Sequence, residues 1–264
     1  DSYAFEVGGT RFEVIATPGA EGPDSVSVWL PNEKVLFTGD LFGHMFPMWP
    51  NLTTIRGERH RFVMPYIDSL DRVLELEPEI IVPSHFYPVH GKEVIRAGVT
   101  RIRDAVTFVH DAVVRGINEG KDVYTLMREI QLPPDLQISE GHGKVSWGVR
   151  SIWEGYNGWF HMKSATEMYP VPASDVYADL VSAAGGPAAV AKLAQAKLQE
   201  GKAVQALHLS EVALAAAPDS EPALRVQLAT YERLLEESAD ENHYEVFWLR
   251  HLIAQSRERL GISE

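Results

Sequence analysis

Apolar and polar residues alternate through the first forty positions, the pattern of strands that bury one face. Residues 3–16 read YAFEVGGTRFEVIA, two short alternating runs around a Gly-Gly pair, and they predict a β-hairpin. SVSVWL at 25–30 and KVLFT at 34–38 predict two further strands, with the turn residues Pro-Asn-Glu between them. The chain therefore begins with about four strands.

The next segment changes from strand to helical spacing and back. Between residues 60 and 77, apolar residues recur every three or four positions and predict a helix that ends before Pro78. EIIVP at 79–83 predicts a short buried strand, and SHFYPVHG after it predicts a loop. The first ninety residues thus read β-β-β-β-α-β, an α/β pattern.

From about Val94 onward the pattern is helical. The predicted helices cover 94–118, 122–131, 144–160, two within 186–217 on either side of Gly201, 223–237 and 243–260. The pair at 186–217 is typical of a tetratricopeptide repeat, but at most one such repeat is visible, which favours a helical bundle over a solenoid.

Composition narrows the chemistry. The 24 basic and 37 acidic residues give a net charge of −13, which argues against a nucleic-acid partner and an anionic membrane surface. No apolar run approaches the roughly 18–20 residues of a membrane span. The chain has no cysteine, which excludes disulfides, thiolate ligands and a cysteine nucleophile. Any metal would have to be held by histidines and carboxylates.

Three polar residues follow the ends of predicted strands. Glu21 comes after FEVIATPGA, Asp40 after VLFTG, and His85 after IIVPS. Carboxylates and imidazole at strand ends suit a divalent cation when thiolates are unavailable. Each residue also has an ordinary structural interpretation: Glu21 as a solvated loop residue, Asp40 as a turn or helix-capping residue, and His85 as a core histidine.

These segments resemble the metallo-β-lactamase superfamily and, within it, the alkyl sulfatase group. The superfamily has a TPGH-type loop, a strand ending in Gly-Asp and a strand ending in Gly-His or Ser-His, and the matching segments here are TPGAEG, FTGD and PSH. Alkyl sulfatases carry Glu in place of the first His, as at position 21. The resemblance implies that Glu21 and His85 each bind one metal and that Asp40 bridges two zinc ions.

Two further motifs extend the resemblance over nearly all of residues 1–250. NLTTIRG at 51–57 is similar to the segment in which an Asn and an Arg hold the sulfate, which implies substrate binding by Asn51 and Arg56. YNGWF at 156–160 resembles a signature of the alkyl sulfatase dimerisation domain. The implied architecture is a metallo-β-lactamase (αββα) half-domain at 1–93, followed by an all-α dimerisation domain with tetratricopeptide-like helices at 94–264. A homodimer is expected.

Three features depart from the family pattern. The His-x-His-x-Asp-His segment is absent, so the remaining metal ligands are expected from an N-terminal segment or a separate chain. The bridging position, usually Glu in the sulfatases, is Asp40. Trp147 aligns with a histidine of many sulfatases, leaving His60, His90 and His142 as possible proton donors.

The expected function is therefore a dinuclear zinc hydrolase that cleaves an organic sulfate ester with metal-activated water. The substrate would be a small anionic organic molecule, its alkyl tail received by apolar side chains of the helical region. Two alternatives remain open. One is a hydrolase of the same fold that acts on another ester, thioester or phosphoester. The other is a non-catalytic dimerisation module attached to a degraded metal domain.

Overall fold

The structure, a computed structural model, describes residues 2–19, 22–42, 45–53, 55 and 61–262. It divides into two compact units, Asp1–Trp159 and Phe160–Glu264. The first unit contains a sheet and helices, and the second is helical. The predicted order, an α/β part followed by a helical region, is confirmed. The domain boundary expected near residue 93 stays a prediction.

A mixed six-stranded sheet forms the first layer of the first unit. Its strands follow one another in space as in sequence: β1 (Ser2–Val7), β2 (Thr10–Ala16), β3 (Val26–Leu30), β4 (Val35–Gly39), β5 (Ile80–Pro83) and β6 (Val89–His90). Neighbouring strands are antiparallel except β4 and β5, which are parallel. The predicted hairpin and the next three strands are confirmed.

One sequence interpretation needs correction. SHFYPVHG was predicted as a loop, but its second half contains β6, where Val89 pairs with Ile81 and His90 with Ile80. A strand of two residues is too short for alternation to reveal it. Its pairing depends on the neighbouring strand and not on local pattern.

Helix α1 (Val63–Leu76) connects β4 to β5, because parallel strands need a crossover. Its buried residues recur at helical spacing: Val63, Tyr66, Ile67, Ser69, Leu70 and Val73. The helix ends at Glu77, which adopts a left-handed conformation with φ 51°, and Pro78 follows. The predicted end before Pro78 is therefore confirmed.

Three helices complete the first unit: α2 (Lys92–Asn118), α3 (Val123–Glu129) and α4 (Val145–Asn157). The long helix α2 packs against α1 and α4, and its buried side chains share one core with those of the sheet. Gly116 permits close packing on α3, since a Cβ there would lie 2.3 Å from Leu126 Cδ2. The predicted helices at 94–118, 122–131 and 144–160 correspond to these three.

The second unit contains α5 (Tyr177–Ala183), α6 (Pro187–Gln199), α7 (Ala203–Ala216), α8 (Glu221–Glu237) and α9 (His243–Leu260). The pair predicted at 186–217 is confirmed as α6 and α7, divided at Gly201, whose φ of +73° suits glycine. Their tetratricopeptide character stays a prediction. Within the described residues, no helix combines the length and apolar character needed to cross a bilayer.

Candidate metal and anion site

The carboxyl ends of β4 and β5 bring Asp40 and His85 together. The strands are parallel, Gly39 is the register partner of Pro83, and the Ser84 amide donates to the Gly39 carbonyl at 3.2 Å. Asp40 follows Gly39, and His85 follows Ser84, so both lie just beyond these paired ends. Ser84 is also a spatial neighbour of Asp40, although the two are 44 positions apart in the sequence. Loops beyond the carboxyl ends of strands are the usual place for ligands in α/β sheets.

The two side chains lie within reach of a shared ligand. His85 Nε2 is 3.4 Å from Asp40 Oδ1, and the Ser84 hydroxyl donates a hydrogen bond to the same carboxylate oxygen. The side chain of His85 is 46% exposed and that of Asp40 is 26% exposed, so solvent reaches both. The sequence prediction placed Asp40 and His85 together but did not include Ser84 as a positioning partner.

The loop of residues 17–25, the TPG loop, leaves the sheet at the same end as the carboxyl ends of β4 and β5. Because β2 and β4 are each antiparallel to β3, both run in one direction and end on one side. The loop is closed by a hydrogen bond of 2.9 Å from the Thr17 amide to the Ser25 carbonyl, and the Thr17 and Ser27 hydroxyls lie 3.1 Å apart. Glu21, the predicted ligand in this loop, lies outside the described residues.

Helix α1 packs directly behind the TPG loop. The Ser69 hydroxyl donates to the Pro18 carbonyl at 2.8 Å. Gly19 has a φ of +88°, and a Cβ at this position would lie 2.6 Å from the Tyr66 amide nitrogen. Both the backbone conformation and the close approach therefore require glycine.

Asn51 lies in the interior, only 4% exposed. Its backbone carbonyl accepts a hydrogen bond of 2.8 Å from Arg61 Nη1. Among the described residues, neither polar atom of its side-chain amide has a hydrogen-bond partner. The segment before α4 packs on it, since a Cβ at Gly143 would lie 3.0 Å from Asn51 Cα. Arg56, its predicted companion, lies outside the described residues.

The possible proton donors differ in their surroundings. His142 is buried and adjoins Gly143, which contacts Asn51. His90 is exposed on β6, and His60 lies outside the described residues. Trp147 packs beneath the Lys144 ammonium group, 5.9 Å from its Nζ. Of the two described histidines, His142 lies next to a residue that contacts Asn51, the predicted substrate residue.

Sequence reasoning missed Arg61 and Tyr66. Arg61 is 7% exposed, and Tyr66 is buried on α1. Burial raises the pKa of Tyr66 far above its ordinary value, and the Arg61 charge opposes that rise. Tyr66 occupies an apolar position of the helical pattern, so it reads as a core residue. The buried guanidinium next to the helix gives no periodic signal.

The distance between the two described donors is that expected of zinc ligands. Ligand bonds of about 2.0–2.1 Å at a tetrahedral angle place two donor atoms about 3.3 Å apart. The 3.4 Å between Asp40 Oδ1 and His85 Nε2 fits two ligands of one ion. Within the described residues, no group of three or more His, Cys, Asp or Glu is arranged to hold a metal. The pair therefore fits part of a metal site.

Comparison with known proteins adds the family to this geometry. Residues 1–85 match the metallo-beta-lactamase superfamily, and residues 123–251 match the alkyl sulfatase dimerisation family. The chain is a relative of the alkyl sulfatases. The metallo-β-lactamase fold of this group implies metal binding.

The curated relatives include two alkyl sulfatases of Pseudomonas. A linear primary-alkylsulfatase of Pseudomonas sp. is 29% identical over 239 residues, covering 89% of this chain and 44% of its own length. An (R)-specific secondary-alkylsulfatase of Pseudomonas sp. is 27% identical over 236 residues, covering 86% of this chain and 35% of its own. The chain thus spans less than half the length of these alkyl sulfatases.

A solved structure gives the same fold. The stereoselective inverting sec-alkylsulfatase of Pseudomonas sp. superposes with a TM-score of 0.86 at 24% identity. The superposition covers 99% of this chain and 41% of that structure. The strands, the crossover helix and the helical region therefore follow the alkyl sulfatase arrangement.

Proposed function

We propose that this chain is part of a metal-dependent hydrolase that cleaves an organic sulfate ester. The observation that carries the proposal is the approach of Asp40 Oδ1 and His85 Nε2 to 3.4 Å at the ends of parallel strands. This spacing suits a metal, and it occurs in a chain whose curated relatives are alkyl sulfatases. A solvated carboxylate and an unrelated histidine would not need this spacing.

The proposed metal centre contains two zinc ions. Glu21, Asp40 and His85 would hold these ions. Zinc at such a centre supplies Lewis acidity and a water-derived nucleophile near neutral pH. Ser84 donates to the Asp40 carboxylate and so fixes its orientation, as residues behind metal ligands commonly do.

Three protein ligands are too few for two zinc ions, each of which takes about four. We propose that the others come from a segment with the His-x-His-x-Asp-His pattern, which the sequence of this chain does not contain. The side chains of Asp40 and His85 are partly exposed, which leaves room for such a segment to complete the site.

Asn51 and Arg56 are proposed to hold the anionic head of the substrate. A guanidinium offers two donors to oxyanion oxygens, and an amide adds a donor without charge. The buried amide of Asn51, without a partner among the described residues, supports this role. A buried amide left unpaired costs free energy, which a bound sulfate would recover.

The substrate class is tested on the full-length, metal-loaded protein. Linear and secondary alkyl sulfates are assayed beside phosphodiesters and thioesters of similar chain length. Turnover of alkyl sulfates at a kcat/KM well above that of the other esters is the expected result. Preference for a phosphodiester or thioester would show that this ester, and not a sulfate ester, is the substrate. No turnover with any ester would support a non-catalytic module.

The metal ligands are tested by metal analysis of purified variants. Asp40→Asn and His85→Ala are expected to lose at least one metal equivalent per chain, because each removes a ligand. Asp68→Asn and His208→Ala change exposed residues of the same types and should retain the full content. Equal metal content in all four variants would show that Asp40 and His85 are not ligands.

A further inference from the structure

Asn51, Arg61 and Tyr66 form a buried group of polar side chains, the inner polar cluster. Arg61 Nη1 donates to the Asn51 carbonyl at 2.8 Å, and the Arg61 charge acts on the Tyr66 phenol. All three residues are almost completely buried. Polar side chains in the interior normally form hydrogen bonds with each other, with a bound water or with a ligand.

Tyr66 carries the most informative of these groups. The residue is 1% exposed, and its hydroxyl has no hydrogen-bond partner among the described residues. Phenylalanine would fill the same apolar space without burying an unpaired hydroxyl. If packing were the only role of Tyr66, its buried hydroxyl would lower stability and contribute nothing.

The position of Tyr66 links the two halves of the proposed site. Its backbone nitrogen lies against Gly19 in the TPG loop, which carries Glu21. Through Arg61, the same cluster is joined to Asn51, the proposed sulfate ligand. Tyr66 thus contacts the loop that would hold metal, and its phenol feels the charge of Arg61, which donates to the backbone of the residue that would hold the anion.

We propose that Tyr66 is a substrate-binding residue, whose hydroxyl donates a hydrogen bond to a sulfate oxygen of the substrate held beside Arg61 and Asn51. The proposal rests on the sulfate-ester function above and adds a neutral donor to it. Since burial raises the pKa of Tyr66, the hydroxyl keeps its proton, and hence its donor role, throughout the neutral range. A neutral donor binds a monoanionic sulfate without adding another buried charge.

The test compares Tyr66→Phe with Tyr231→Phe in full-length, metal-loaded protein. Tyr231 is also buried, and burial also raises its pKa, but it lies on α8 in the second unit. Binding of an alkyl sulfonate, a non-hydrolysable analogue of the sulfate ester, is measured by calorimetry. Thermal unfolding and alkyl sulfate turnover are measured on the same samples.

Tyr66→Phe should weaken sulfonate binding by about tenfold, the loss typical of one hydrogen bond to a charged group. It should leave the unfolding midpoint equal or higher, because an unpaired buried hydroxyl is removed. Tyr231→Phe should bind sulfonate as the wild type does. A purely structural role for Tyr66 would instead lower the midpoint and leave the affinity unchanged.

The outcomes separate this proposal from the proposed function. If the wild type hydrolyses alkyl sulfates and Tyr66→Phe binds sulfonate normally, only the role of Tyr66 is wrong. If the wild type binds sulfonate with help from Tyr66 but hydrolyses no sulfate ester, the anion site stands and the reaction is wrong. If the wild type neither binds nor hydrolyses, both proposals are wrong.

Discussion

At the scale of single residues, Gly19 shows how one missing side chain positions a site. Its φ of +88° is unfavourable for other residues, and its Cα faces the backbone of α1 at Tyr66. The neighbouring atoms are backbone and have little freedom to move. Any larger residue must therefore separate the TPG loop from α1.

We expect Gly19→Ala to destabilise the protein by more than Gly120→Ala. Both glycines have a left-handed φ, +88° and +75°, but a Cβ at Gly120 would meet nothing within 4 Å. Gly120→Ala should thus cost only the conformational strain of about 1–2 kcal/mol. Gly19→Ala should add about 1–3 kcal/mol for the steric conflict. Urea unfolding of both variants measures the difference, and equal losses would mean that the loop moves aside freely.

The site residues that could be predicted from the sequence differ in their surroundings from those that could not. Asp40 and His85 follow strongly apolar strands, so their place at a sheet edge is visible in the pattern. Their 3.4 Å approach required the register of β4 and β5, which local sequence does not encode. Tyr66 and Arg61 stayed hidden because their polar atoms are buried among apolar neighbours. The roles of Glu21 and Arg56 remain predictions.

At the scale of elements, α4 is held against the segment that carries Asn51. Gly148 lies on the buried face of α4, where a Cβ would lie 2.7 Å from Trp49 Cζ2 and 3.1 Å from its Nε1. The Ser151 hydroxyl of the same helix donates to the Leu52 carbonyl at 3.1 Å. The distance between α4 and residues 48–52 therefore affects the proposed anion site.

Gly148→Ala should lower stability by about 1–3 kcal/mol and weaken substrate binding, because the indole of Trp49 must shift. Trp49→Phe removes the indole atoms in conflict, but it leaves a cavity of its own. In a double-mutant cycle, the combined variant should lose less stability than the sum of the two single losses. Additive losses would show that Gly148 and Trp49 are energetically independent.

The turn between α6 and α7 contains an exposed charge cluster with a measurable signature. Lys202 and Lys197 each bind the Glu200 carboxylate, at 2.8 and 2.9 Å, and lower the pKa of Glu200 to about 2. A lowered folded-state pKa contributes stability above the ordinary value of 4.5, and this contribution is lost as the pH falls towards about 2.

Carboxyl NMR titration should report the low pKa of Glu200 directly. Lys197→Ala combined with Lys202→Ala should move the pKa back towards 4.5, since both hydrogen bonds and both charges are removed. Lys192→Ala, an exposed change on α6, should leave the titration where it was. A wild-type pKa already near 4.5 would show that solvent screens this cluster completely, and a low pKa that persists in the double variant would show that the lysines do not cause it.

Most helices were predictable from the sequence. Helices α1, α2, α4 and α6 to α9 each have three or more turns, so their apolar spacing stands out. The seven-residue α3 was also predicted, whereas α5, of the same length, and the two-residue β6 were not. In elements this short the pattern barely repeats, so tertiary contacts decide their conformation.

At the scale of the whole molecule, net charge opposes self-association of the chain and exposed aromatic surface favours it. A net charge of −13 makes copies of the chain repel each other. Yet Tyr156 and Trp159, at the end of α4 and just after it, are 57% and 73% exposed, whereas Trp153 is buried. Large exposed aromatic side chains are typical of interfaces. Together with the match to a dimerisation family, they support the proposed homodimer.

Light scattering of the full-length protein at micromolar concentration should give the mass of a dimer. Trp159→Ser should shift the equilibrium towards monomer, because it removes apolar area from the proposed interface. Tyr124→Ser, which changes another exposed aromatic residue on α3, should leave the dimer intact. A monomer mass for the wild type would overturn the homodimer, and an equal effect of both substitutions would move the interface away from Trp159.

Strand β1 has a consequence for handling this chain. All six of its residues are exposed, the rings of Tyr3, Phe5 and Phe12 stack in a row, and no described strand pairs with its outer edge. An unpaired edge with exposed aromatic rings accepts extended peptides, which favours fibrous aggregation when the protein is concentrated. Natural edge strands discourage such stacking with a charged side chain. Val7→Lys at the end of this edge is therefore a sensible change to make before crystallisation trials.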